Sequence, residues 1–566
     1  MPEPFPVDDL HDVPPPFWRR RADGVWAVLV FVLTAGLTVV AFPPFQLPEA
    51  AYVLAAPAAL WAYRRPGFRL FAATVLGAQM VAWTVILGWL HHVTWGGLLL
   101  LGPFIGLWVG SWFLGAWSLL PRLPGRPAVV RVFAMFGLAG AWVVVEWSRT
   151  WVLTGFPWLP LAASQWQRVS ILQIASYTGA GGVAFVLVAM NLGFAAYAHR
   201  LFFEDAKGIA RRSQEFLAAM FLLLVCLTVH VREAFNRGRY AVPLARVALV
   251  QPYIPQAAKW DPTQDQAILK VLEQTTLDAA GAQPELILWP EATTPWAVKG
   301  DDLARAFVES LAQRARAPLL LGSIVIERGG ASGEPWYNAA LVVDPATGLA
   351  SEYYAKRHLV PFGEYVPWRP LFGWLKKFVE VGDNDCSPGT APVPLTVRLR
   401  RGPLVVGPLV CYEDLFPDLA RSSARAGAEV LTVLTNDAWY GEGGAAYQHA
   451  AGAVLRAIET RRPVLRCGNG GWSGWIDEFG SVRAVLTRDA AGKISTDPTA
   501  AGTIYFRGGA TVDVTRDSRW IGQQSFYTEH GEWFVVFSAA LATLAALALR
   551  GSLPPVGAAG KPKATE

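Results

Sequence analysis

Long apolar segments dominate the first 235 residues of the chain, and one more follows near the C-terminus. We predict membrane spans near residues 25–41, 50–63, 70–90, 96–120, 132–148, 171–197, 216–231 and 532–549. Several of these exceed the roughly 20 apolar residues that a helix needs to cross a bilayer, whereas the second is short. The pattern therefore predicts a polytopic α-helical membrane protein with about eight spans.

Residues 244–525 are more polar, and short apolar runs alternate there with amphipathic stretches. The runs at 246–252, 285–289, 318–326, 338–344, 402–406 and 430–436 are typical of buried strands. The stretches 301–316, 416–427 and 447–461 have the spacing of amphipathic helices. "DPATG" at 344–348 is typical of a turn that joins two strands in a hairpin. We expect a layered α/β or α+β domain here.

The basic residues give the chain an orientation, because cytoplasmic loops carry an excess of Lys and Arg. With the N-terminus inside, the inner segments contain Arg19–Arg21, Arg64, Arg65, Arg69, Arg122, Arg126, Arg131, Arg200, Lys207, Arg211, Arg212, Arg550, Lys561 and Lys563. The short outer loops contain only Arg149 and Arg168. Seven spans would thus deliver the polar domain to the outer face, and the eighth would return the tail.

The predicted organisation has five parts. These are a cytoplasmic N-terminal segment (1–24), a membrane domain with seven spans (25–235), the polar domain (244–525), a final span (532–549) and a disordered cytoplasmic tail (550–566).

Composition supports a membrane protein and excludes several kinds of function. Hydrophobic residues make up 53% of the chain, charged residues only 16%, and there are 25 tryptophans. The net charge of +5 is small, and no basic stripe accompanies a nucleic-acid motif, so we expect no nucleic-acid partner. The cysteines (Cys226, Cys386, Cys411 and Cys467) form no C-x-x-C pair, and no cluster has metal-ligand spacing. We expect no metal or cofactor; a Cys386–Cys467 bridge stays open.

Three reactive side chains come directly after predicted buried strands. Glu291 follows "ELILWP", Lys356 follows the second strand of the hairpin, and Cys411 follows "GPLVVGPLV". A carboxylate can take the thiol proton, and an ammonium group can favour the thiolate and stabilise an oxyanion. The neighbouring Glu413 and Asp414 raise the thiol pKa, whereas a helix that begins after Cys411 would lower it. Each residue alone has an ordinary structural alternative, so the three are informative only together.

Several segments occur in the order typical of a known family. They are "TGFPWLPLAASQ" (154–165), "LVQPYIPQAAKWDP" (249–262), "WPEA" (289–292), "KRHLVPFGEYVP" (356–367), "CYEDLFP" (411–417), "LTNDAWYGEGGAAYQH" (434–449), "RAIETRRPVLR" (456–466) and "FYTEHGEWF" (526–534). With the eight spans, they make residues of about 25–550 resemble the apolipoprotein N-acyltransferases, membrane-embedded members of the nitrilase (carbon-nitrogen hydrolase) superfamily. The resemblance implies an inserted α-β-β-α sandwich with a Glu-Lys-Cys triad.

The resemblance also implies roles for individual residues. Glu291 would be the general base, Lys356 would stabilise the oxyanion, and Cys411 would be the nucleophile. Further positions that match the family are a second active-site glutamate (Glu364), the two residues after the cysteine (Tyr412 and Glu413), and two tryptophans of the lipid-facing pocket (Trp260 and Trp439), which core or interfacial packing would explain equally well. We expect His358 and His449 to have structural hydrogen-bonding roles, because the triad needs no histidine.

The function that the resemblance implies is N-acylation. A fatty acyl chain would move from a phospholipid, through a thioester on Cys411, to the α-amino group of the diacylglyceryl-cysteine of an apolipoprotein. The protein would lie in the bacterial inner membrane among lipids, as a monomer, with its catalytic domain facing the periplasm. Cys411→Ser or Cys411→Ala would then lose all activity, whereas Cys226, Cys386 and Cys467 would be dispensable.

Two segments depart from the family pattern, and two other functions stay open. "CGNGGWSGW" (467–475) replaces a Thr-Gly turn, and its glycines predict a more mobile pocket wall. "QPY" (251–253) replaces the more usual Gln-Gly-Asn. A membrane-anchored amidase or nitrilase-like hydrolase would use the same triad with water as acceptor. A catalytically silent membrane scaffold is the other alternative, and an acyl thioester on Cys411 would exclude it.

Overall fold

The computed structural model describes residues 17–204, 212–259, 261–327, 334–373 and 385–550. Trp260, most of the predicted N-terminal segment and nearly all of the predicted tail lie outside the described residues, so the predictions made for them remain untested.

The first part of the chain is helical. Its helices are α1 (Phe17–Val40), α2 (Ala56–Tyr63), α3 (Phe68–Ile86), α4 (Trp95–Leu119), α5 (Ala128–Ser148), α6 (Val169–Leu172), α7 (Ala175–Thr178), α8 (Ala180–Phe203) and α9 (Gln214–Asn236). Within the described ranges, six helical segments are long and apolar enough to cross a membrane: Ala22–Val40, Phe68–Ile86, Trp95–Arg122, Ala128–Ser148, Ala180–Phe203 and Gln214–Asn236. The chain is therefore a polytopic α-helical membrane protein.

The predicted total of about eight full-length spans is not confirmed. Segment 50–63 forms a 3-10 turn and the eight-residue helix α2, which at 1.5 Å per residue is much shorter than a hydrocarbon core of about 30 Å. Asn191 of α8 explains why this backbone can stay irregular: its amide accepts from Ala55 N at 2.6 Å and donates to Ala51 O at 2.8 Å. Irregular backbone is tolerated at such a depth where protein groups satisfy it.

Two other predicted spans differ in their limits. The span predicted at 171–197 begins later, because Gly179 adopts a φ of +66° and separates the short helix α7 from α8. The last apolar helix runs from Trp533 to Ala548 and has 16 residues, close to the predicted 532–549.

The rest of the chain forms strands and shorter helices. The strands are β1 (Ala241–Gln251), β2 (Leu286–Leu288), β3 (Leu319–Ile326), β4 (Trp336–Asp344), β5 (Gly348–Ala355), β6 (Leu395–Leu399), β7 (Gly402–Val410), β8 (Val430–Thr435), β9 (Val464–Gly468), β10 (Gly474–Ile476), β11 (Val482–Val485), β12 (Thr487–Arg488), β13 (Ile494–Ser495) and β14 (Gly508–Asp517). The helices are α10 (Gln256–Lys259), α11 (Asp265–Ala280), α12 (Asp302–Ala315), α13 (Arg369–Phe372), α14 (Pro417–Arg425), α15 (Ala445–Thr460), α16 (Phe526–His530) and α17 (Trp533–Ala548).

Two six-stranded sheets form the centre of this domain. The first has the order β14-β1-β2-β3-β4-β5 and the second β11-β10-β9-β8-β7-β6. Strands β1, β2 and β3 pair in parallel, as do β7, β8 and β9. Parallel strands are covered on both faces, which is why these segments read as continuous apolar runs. All six predicted strands are present, and the predicted hairpin joins β4 to β5.

The two sheets pack face to face between layers of helices. In β1, Val247 and Leu249 belong to the core shared with the second sheet, whereas Ala248 and Val250 pack in the core that includes α11 and α12. Helices α14 and α15 pack on the other side of the second sheet. The predicted α-β-β-α sandwich is confirmed, and the three predicted amphipathic helices correspond to α12, α14 and α15.

Gln448 of α15 joins the sandwich to the membrane helices. Its amide oxygen accepts from the indole nitrogens of Trp89 at 3.0 Å and Trp158 at 2.8 Å. Its amide nitrogen donates to the carbonyls of Pro43 and Ile86, both at 2.9 Å. Gln448 is 2% exposed. All four of its partners belong to the membrane domain, so this one side chain anchors the sandwich to that domain.

Candidate active site

Glu291, Lys356 and Cys411 meet where β2, β5 and β7 end. The ammonium group of Lys356 lies 3.3 Å from Glu291 Oε1 and 2.9 Å from Glu364 Oε1. The Cys411 thiol lies close enough to the Glu291 carboxylate for the two groups to shift each other's pKa. The structure therefore brings the three predicted side chains together, although they are up to 120 positions apart in the sequence.

Asn338 of β4 ties the two carboxylates together. Its side-chain amide nitrogen donates to Glu291 Oε1 at 2.8 Å and to Glu364 Oε1 at 2.9 Å. Its backbone carbonyl accepts from the backbone nitrogen of Lys356 at 2.8 Å. Glu364 also accepts from Val360 N at 2.8 Å. Asn338 could not be identified from the sequence, because an asparagine in an apolar strand has no motif of its own.

The electrostatics of these side chains determine the protonation states of Glu291 and Lys356. Burial by itself would raise the pKa of Glu291, but the charges of Lys356 and Lys259 and the Asn338 hydrogen bond hold that pKa below its ordinary value. Burial opposes the charge of Lys356, yet the two glutamates hold the pKa of Lys356 well above its ordinary value. At neutral pH the site therefore contains a carboxylate and an ammonium group in contact.

Cys411 occupies a strained turn between β7 and a 3-10 helix at Cys411–Leu415. Its φ is +54°, in a region that costs a residue with a side chain about 1–2 kcal/mol. A sharp turn from strand to helix exposes a nucleophile at the end of the sheet, and strain of this kind is concentrated at functional sites.

The sequence indicated opposing effects on the thiol pKa, and in the structure the effects that raise this pKa are larger. Burial raises the pKa of Cys411, the Glu291 charge raises it further, and Lys356 with the Thr435 hydrogen bond only partly offsets these effects. The thiol is 6% exposed, and one 3-10 turn offers little help against such desolvation. The resting thiol is neutral, so its proton must be removed by a neighbouring base.

Glu413 holds the lysine loop against the cysteine turn. Its Oε1 accepts from the backbone nitrogens of Arg357 at 2.7 Å and His358 at 3.1 Å. Its Oε2 accepts from Val410 N at 2.7 Å and from the Tyr354 hydroxyl at 2.8 Å. One fully buried carboxylate thus fastens the residues beside Lys356 to the residue before Cys411.

We expect Glu413→Gln to lower the rate of acyl-enzyme formation about 10- to 100-fold and the free energy of unfolding by on the order of 3 kcal/mol. In either orientation the NH2 group of the new amide would face a backbone N–H donor, so at least one N–H group would lose its acceptor. Thermal unfolding and acyl labelling measure both effects, with the exposed Glu352→Gln on the same hairpin as control. Wild-type values for both quantities would refute this positioning role.

A buried charged cluster lies behind the cysteine turn. His449 Nδ1 and Nε2 each lie 2.9 Å from an aspartate oxygen, of Asp437 and Asp414 respectively. Arg466 bridges the same two aspartates at 3.1 and 2.6 Å. Thr435 connects the cluster to the thiol, because its hydroxyl lies 3.0 Å from Asp437 and 3.5 Å from Cys411 Sγ. This geometry agrees with the structural hydrogen-bonding role expected of His449.

The remaining predicted residues surround the site. The Tyr412 hydroxyl donates to Gly155 O of the membrane domain at 3.3 Å. Trp439 is half-buried in the 3-10 turn Asp437–Tyr440. His358 stacks on Phe416, with ring centroids 3.8 Å apart. Trp260 lies outside the described residues.

The two segments that depart from the family pattern, 467–475 and 251–253, pack against each other. A side chain at Gly470 would come within 2.7 Å of the Tyr253 ring, and one at Gly471, whose φ is +110°, within 2.9 Å of Asp437. The loop is buried almost throughout. Its glycines therefore allow close packing against Tyr253, the residue that replaces the usual asparagine, and the predicted mobility stays a prediction.

The described residues contain neither a disulfide bridge nor a cluster of metal ligands. Cys226, Cys386, Cys411 and Cys467 are all free, so the Cys386–Cys467 bridge is not formed. In the part of the chain that the structure describes, no group of three or more His, Cys, Asp or Glu side chains could hold a metal ion.

Comparisons with known proteins identify two family profiles along the chain. "Apolipoprotein N-acyltransferase N-terminal domain" matches residues 34–193, and "Carbon-nitrogen hydrolase" matches residues 246–505. An amidase structure from Nesterenkonia sp. AN1 aligns with 16% identity and a TM-score of 0.35, covering 52% of this chain and 100% of the amidase.

Relatives match most of the chain. An apolipoprotein N-acyltransferase of Geobacter metallireducens is 32% identical over 482 residues, covering 82% of this chain and 87% of that protein. One of Brucella melitensis is 30% identical over 476 residues, covering 76% and 86%. One of Shewanella oneidensis is 28% identical over 515 residues, covering 86% and 93%. The chain belongs to the apolipoprotein N-acyltransferase family, within the nitrilase superfamily.

Proposed function

We propose that this protein transfers a fatty acyl chain from a phospholipid to the α-amino group of the diacylglyceryl-cysteine of an apolipoprotein, by a ping-pong mechanism. The observation that carries the proposal is a carboxylate and an ammonium group in contact, with a thiol within their electrostatic influence, in a chain of this family. These groups supply nucleophile, base and oxyanion stabiliser, the three functions that acyl transfer through a covalent intermediate needs.

In the first half-reaction the phospholipid loses its acyl chain. Glu291 takes the thiol proton as Cys411 Sγ attacks the ester carbonyl, and the Lys356 ammonium group stabilises the tetrahedral oxyanion. The carbon–oxygen bond to glycerol then breaks, and Glu291 returns the proton to the leaving oxygen. The products are a lysophospholipid and a thioester on Cys411. Because the thiol is neutral at rest, the base is required in this step.

In the second half-reaction the lipoprotein amine attacks the thioester carbonyl. Glu291 accepts a proton from the attacking nitrogen, and Lys356 again stabilises the oxyanion. When the carbon–sulfur bond breaks, the sulfur takes the proton and the amide product forms. A thioester undergoes aminolysis far more readily than the original oxygen ester, which is the chemical reason for a covalent intermediate.

Exposed apolar side chains beside the site favour entry from a membrane. His92 packs against Gly441, next to the turn Asp437–Tyr440, and α4 then begins with Trp95 and Leu99, which are 65% and 63% exposed. On the other side, Gly155 contacts Tyr412, and Trp151 nearby is 55% exposed. Aromatic and aliphatic groups at such a depth are typical of a membrane interface. They would let two lipid-anchored substrates reach Cys411 sideways.

The location we propose is the bacterial inner membrane, with the catalytic domain on the periplasmic side. The excess of basic residues in the opposite loops supports this orientation. Arg149, one of two outer arginines, is buried and donates to the carbonyls of Phe156 and Trp158. It is therefore a structural residue rather than a loop charge. We propose a monomer, because one chain supplies the complete site.

Incubation with two lipid substrates tests the function. Full-length protein in detergent, given phospholipid with labelled acyl chains and a synthetic diacylated lipopeptide, should convert the peptide to its N-acylated form, read by mass spectrometry. A donor with ether-linked chains is the matched control, since it lacks the ester carbonyl. Free fatty acid as the only labelled product would show a hydrolase, and no acyl turnover would favour the scaffold; either result would refute the proposal.

A further inference from the structure

A second lysine lies inside the candidate site, and neither half-reaction described above uses it. Lys259 ends the short helix α10, and its side chain is 4% exposed. Its Nζ donates to the backbone carbonyl of Glu291 at 3.1 Å. Glu291 and Cys411 both raise the pKa of this ammonium group, so Lys259 lies close to the base and the thiol.

Lys259 differs from Lys356 in having no anionic partner. Lys356 lies within 3.3 Å of two carboxylates. Among the described residues, by contrast, no carboxylate oxygen lies within 4.0 Å of Lys259 Nζ, and the Glu291 carbonyl is its one hydrogen-bond acceptor. A buried cation without a paired anion is costly, so such residues are rare unless they serve a function.

The charges of the site explain what a second cation would do. The carboxylates of Glu291 and Glu364 face the single ammonium group of Lys356, which leaves one uncompensated negative charge. When the thiol proton moves to Glu291, the negative charge moves to the sulfur and then to the substrate oxygen, again against Lys356 alone. Glu291, Lys356 and Cys411 are only 1–7% exposed, and the Glu364 side chain is 15% exposed, so an uncompensated anion is disfavoured here. With the ammonium group of Lys259, the charges of Glu291, Glu364, Lys356, Lys259 and the thiol or oxyanion add up to zero at every stage.

We propose that Lys259 is the second charge-compensating cation of this site. Its ammonium group neutralises the extra carboxylate, and it thereby stabilises the thiolate of Cys411 and the tetrahedral oxyanion formed on it. Its hydrogen bond to the Glu291 carbonyl also fixes the turn that carries the base, where Ala292 has a φ of +41°. This inference rests on the proposed function for its catalytic consequence, but its effect on the thiol does not require a substrate.

The proposal predicts an alkaline limit for the first half-reaction. Burial lowers the pKa of Lys259 to about 8, while Glu291 and Cys411 raise it. A group with a lowered pKa is charged below that value, so the compensating charge is present at neutral pH and is lost above about pH 8. The other ionisable groups facing it do not titrate there, since the pKa of Glu291 is lowered and those of Cys411 and Lys356 are raised. Acyl-enzyme formation should therefore decline above about pH 8.

The variant Lys259→Met keeps the length of the side chain and removes its charge. We expect acyl-enzyme formation at pH 7 to slow about 100-fold, as when one oxyanion-stabilising group is removed. The decline of the rate above about pH 8, here called the alkaline limb, should disappear. In Lys259→Arg the rate should be restored at least in part and the limb should move above pH 9, because guanidinium does not titrate there. The exposed Lys270→Met on α11 is the matched control.

Several results would overturn the proposal. One is a Lys259→Met enzyme with the wild-type rate or the wild-type alkaline limb. Another is a higher half-saturation concentration for phospholipid at an unchanged maximal rate, which would make Lys259 a substrate ligand instead. If Lys259→Met does not fold, judged by thermal unfolding, the Lys259→Arg profile decides: a shifted limb supports the proposal and an unshifted limb refutes it.

Alkylation separates this inference from the proposed function. Iodoacetamide reacts with the thiolate, and mass spectrometry of the Cys411 peptide gives the rate without any lipid substrate. We expect Lys259→Met to slow alkylation of Cys411 at pH 7 about tenfold, since loss of a nearby cation raises a thiol pKa. Slower alkylation in a protein that never accepts an acyl group would refute the proposed function only. Unchanged alkylation in a protein that does accept one would refute the role of Lys259 only.

Discussion

Cys411→Ala should abolish acyl-enzyme formation and N-acyl transfer together, to the background rate, a loss of about 10⁵-fold or more. The reason is that Cys411 supplies the thiol on which the charges of Glu291 and Lys356 both act. Without the sulfur no covalent intermediate forms, and the amine would have to attack an oxygen ester directly. Transfer of labelled acyl chains from phospholipid to lipopeptide measures the loss.

The other cysteines provide the controls for this experiment. Cys226 lies in α9 and is buried and free, so Cys226→Ala removes a buried thiol far from the site and should retain turnover. We also expect Cys386→Ala and Cys467→Ala to retain turnover. Cys386 lies beside the site, because its backbone nitrogen donates to the Glu364 carbonyl at 2.9 Å, but its thiol takes part in neither half-reaction. The Cys411→Ala protein should unfold close to the wild-type temperature, because the alanine side chain fits the same turn. Turnover by a folded Cys411→Ala protein would show that the nucleophile is another group.

Glu291→Gln should have the second-largest effect, a decrease of about 10³- to 10⁴-fold in acyl-enzyme formation. Burial and the Glu291 charge raise the pKa of the Cys411 thiol, so hardly any thiolate exists at neutral pH unless a neighbouring base removes the proton. The amide keeps the shape of the side chain and cannot accept that proton. The rate of thioester formation in a single turnover measures the effect.

The pH dependence distinguishes loss of a base from loss of structure. Because the pKa of Glu291 is held below its ordinary value, the carboxylate stays ionised down to mildly acidic pH, and the wild-type rate should be level from about pH 5 to neutrality. In Glu291→Gln the rate should instead rise with pH, since hydroxide must then generate the thiolate. The exposed Glu352→Gln is the control. A level profile for Glu291→Gln would contradict the role of general base.

The fold could largely be predicted from the sequence because its strands are buried on both faces. Parallel strands such as β7 and β8 read as continuous apolar runs, and their ends mark where the site residues appear. The strands β6, β9 and β10–β14 were not predicted. Strand β14 lies at a sheet edge and buries few of its residues, and β10–β13 have only two to four residues with no surrounding apolar run. Helix α2 could not be distinguished from a span, since apolar composition does not reveal that Asn191 satisfies an interrupted backbone.

The site was predictable in its identity and not in its electrostatics. Glu291, Lys356 and Cys411 follow apolar runs, and the structure brings the ends of those runs together. The direction of the thiol pKa shift depends on how deeply Cys411 is buried, a three-dimensional quantity that the neighbouring carboxylates only hint at. Lys259 was missed for the same reason, because nothing in "QAAKW" indicates that its ammonium group lies under the base.

The most direct test of the account is to detect an acyl group on Cys411. The full-length protein, incubated with phospholipid alone and digested, should yield a Cys411 peptide whose mass is increased by that of one acyl chain, and hydroxylamine should remove the adduct as it does other thioesters. An unmodified Cys411 peptide from a preparation that still transfers acyl chains to lipopeptide would contradict the account.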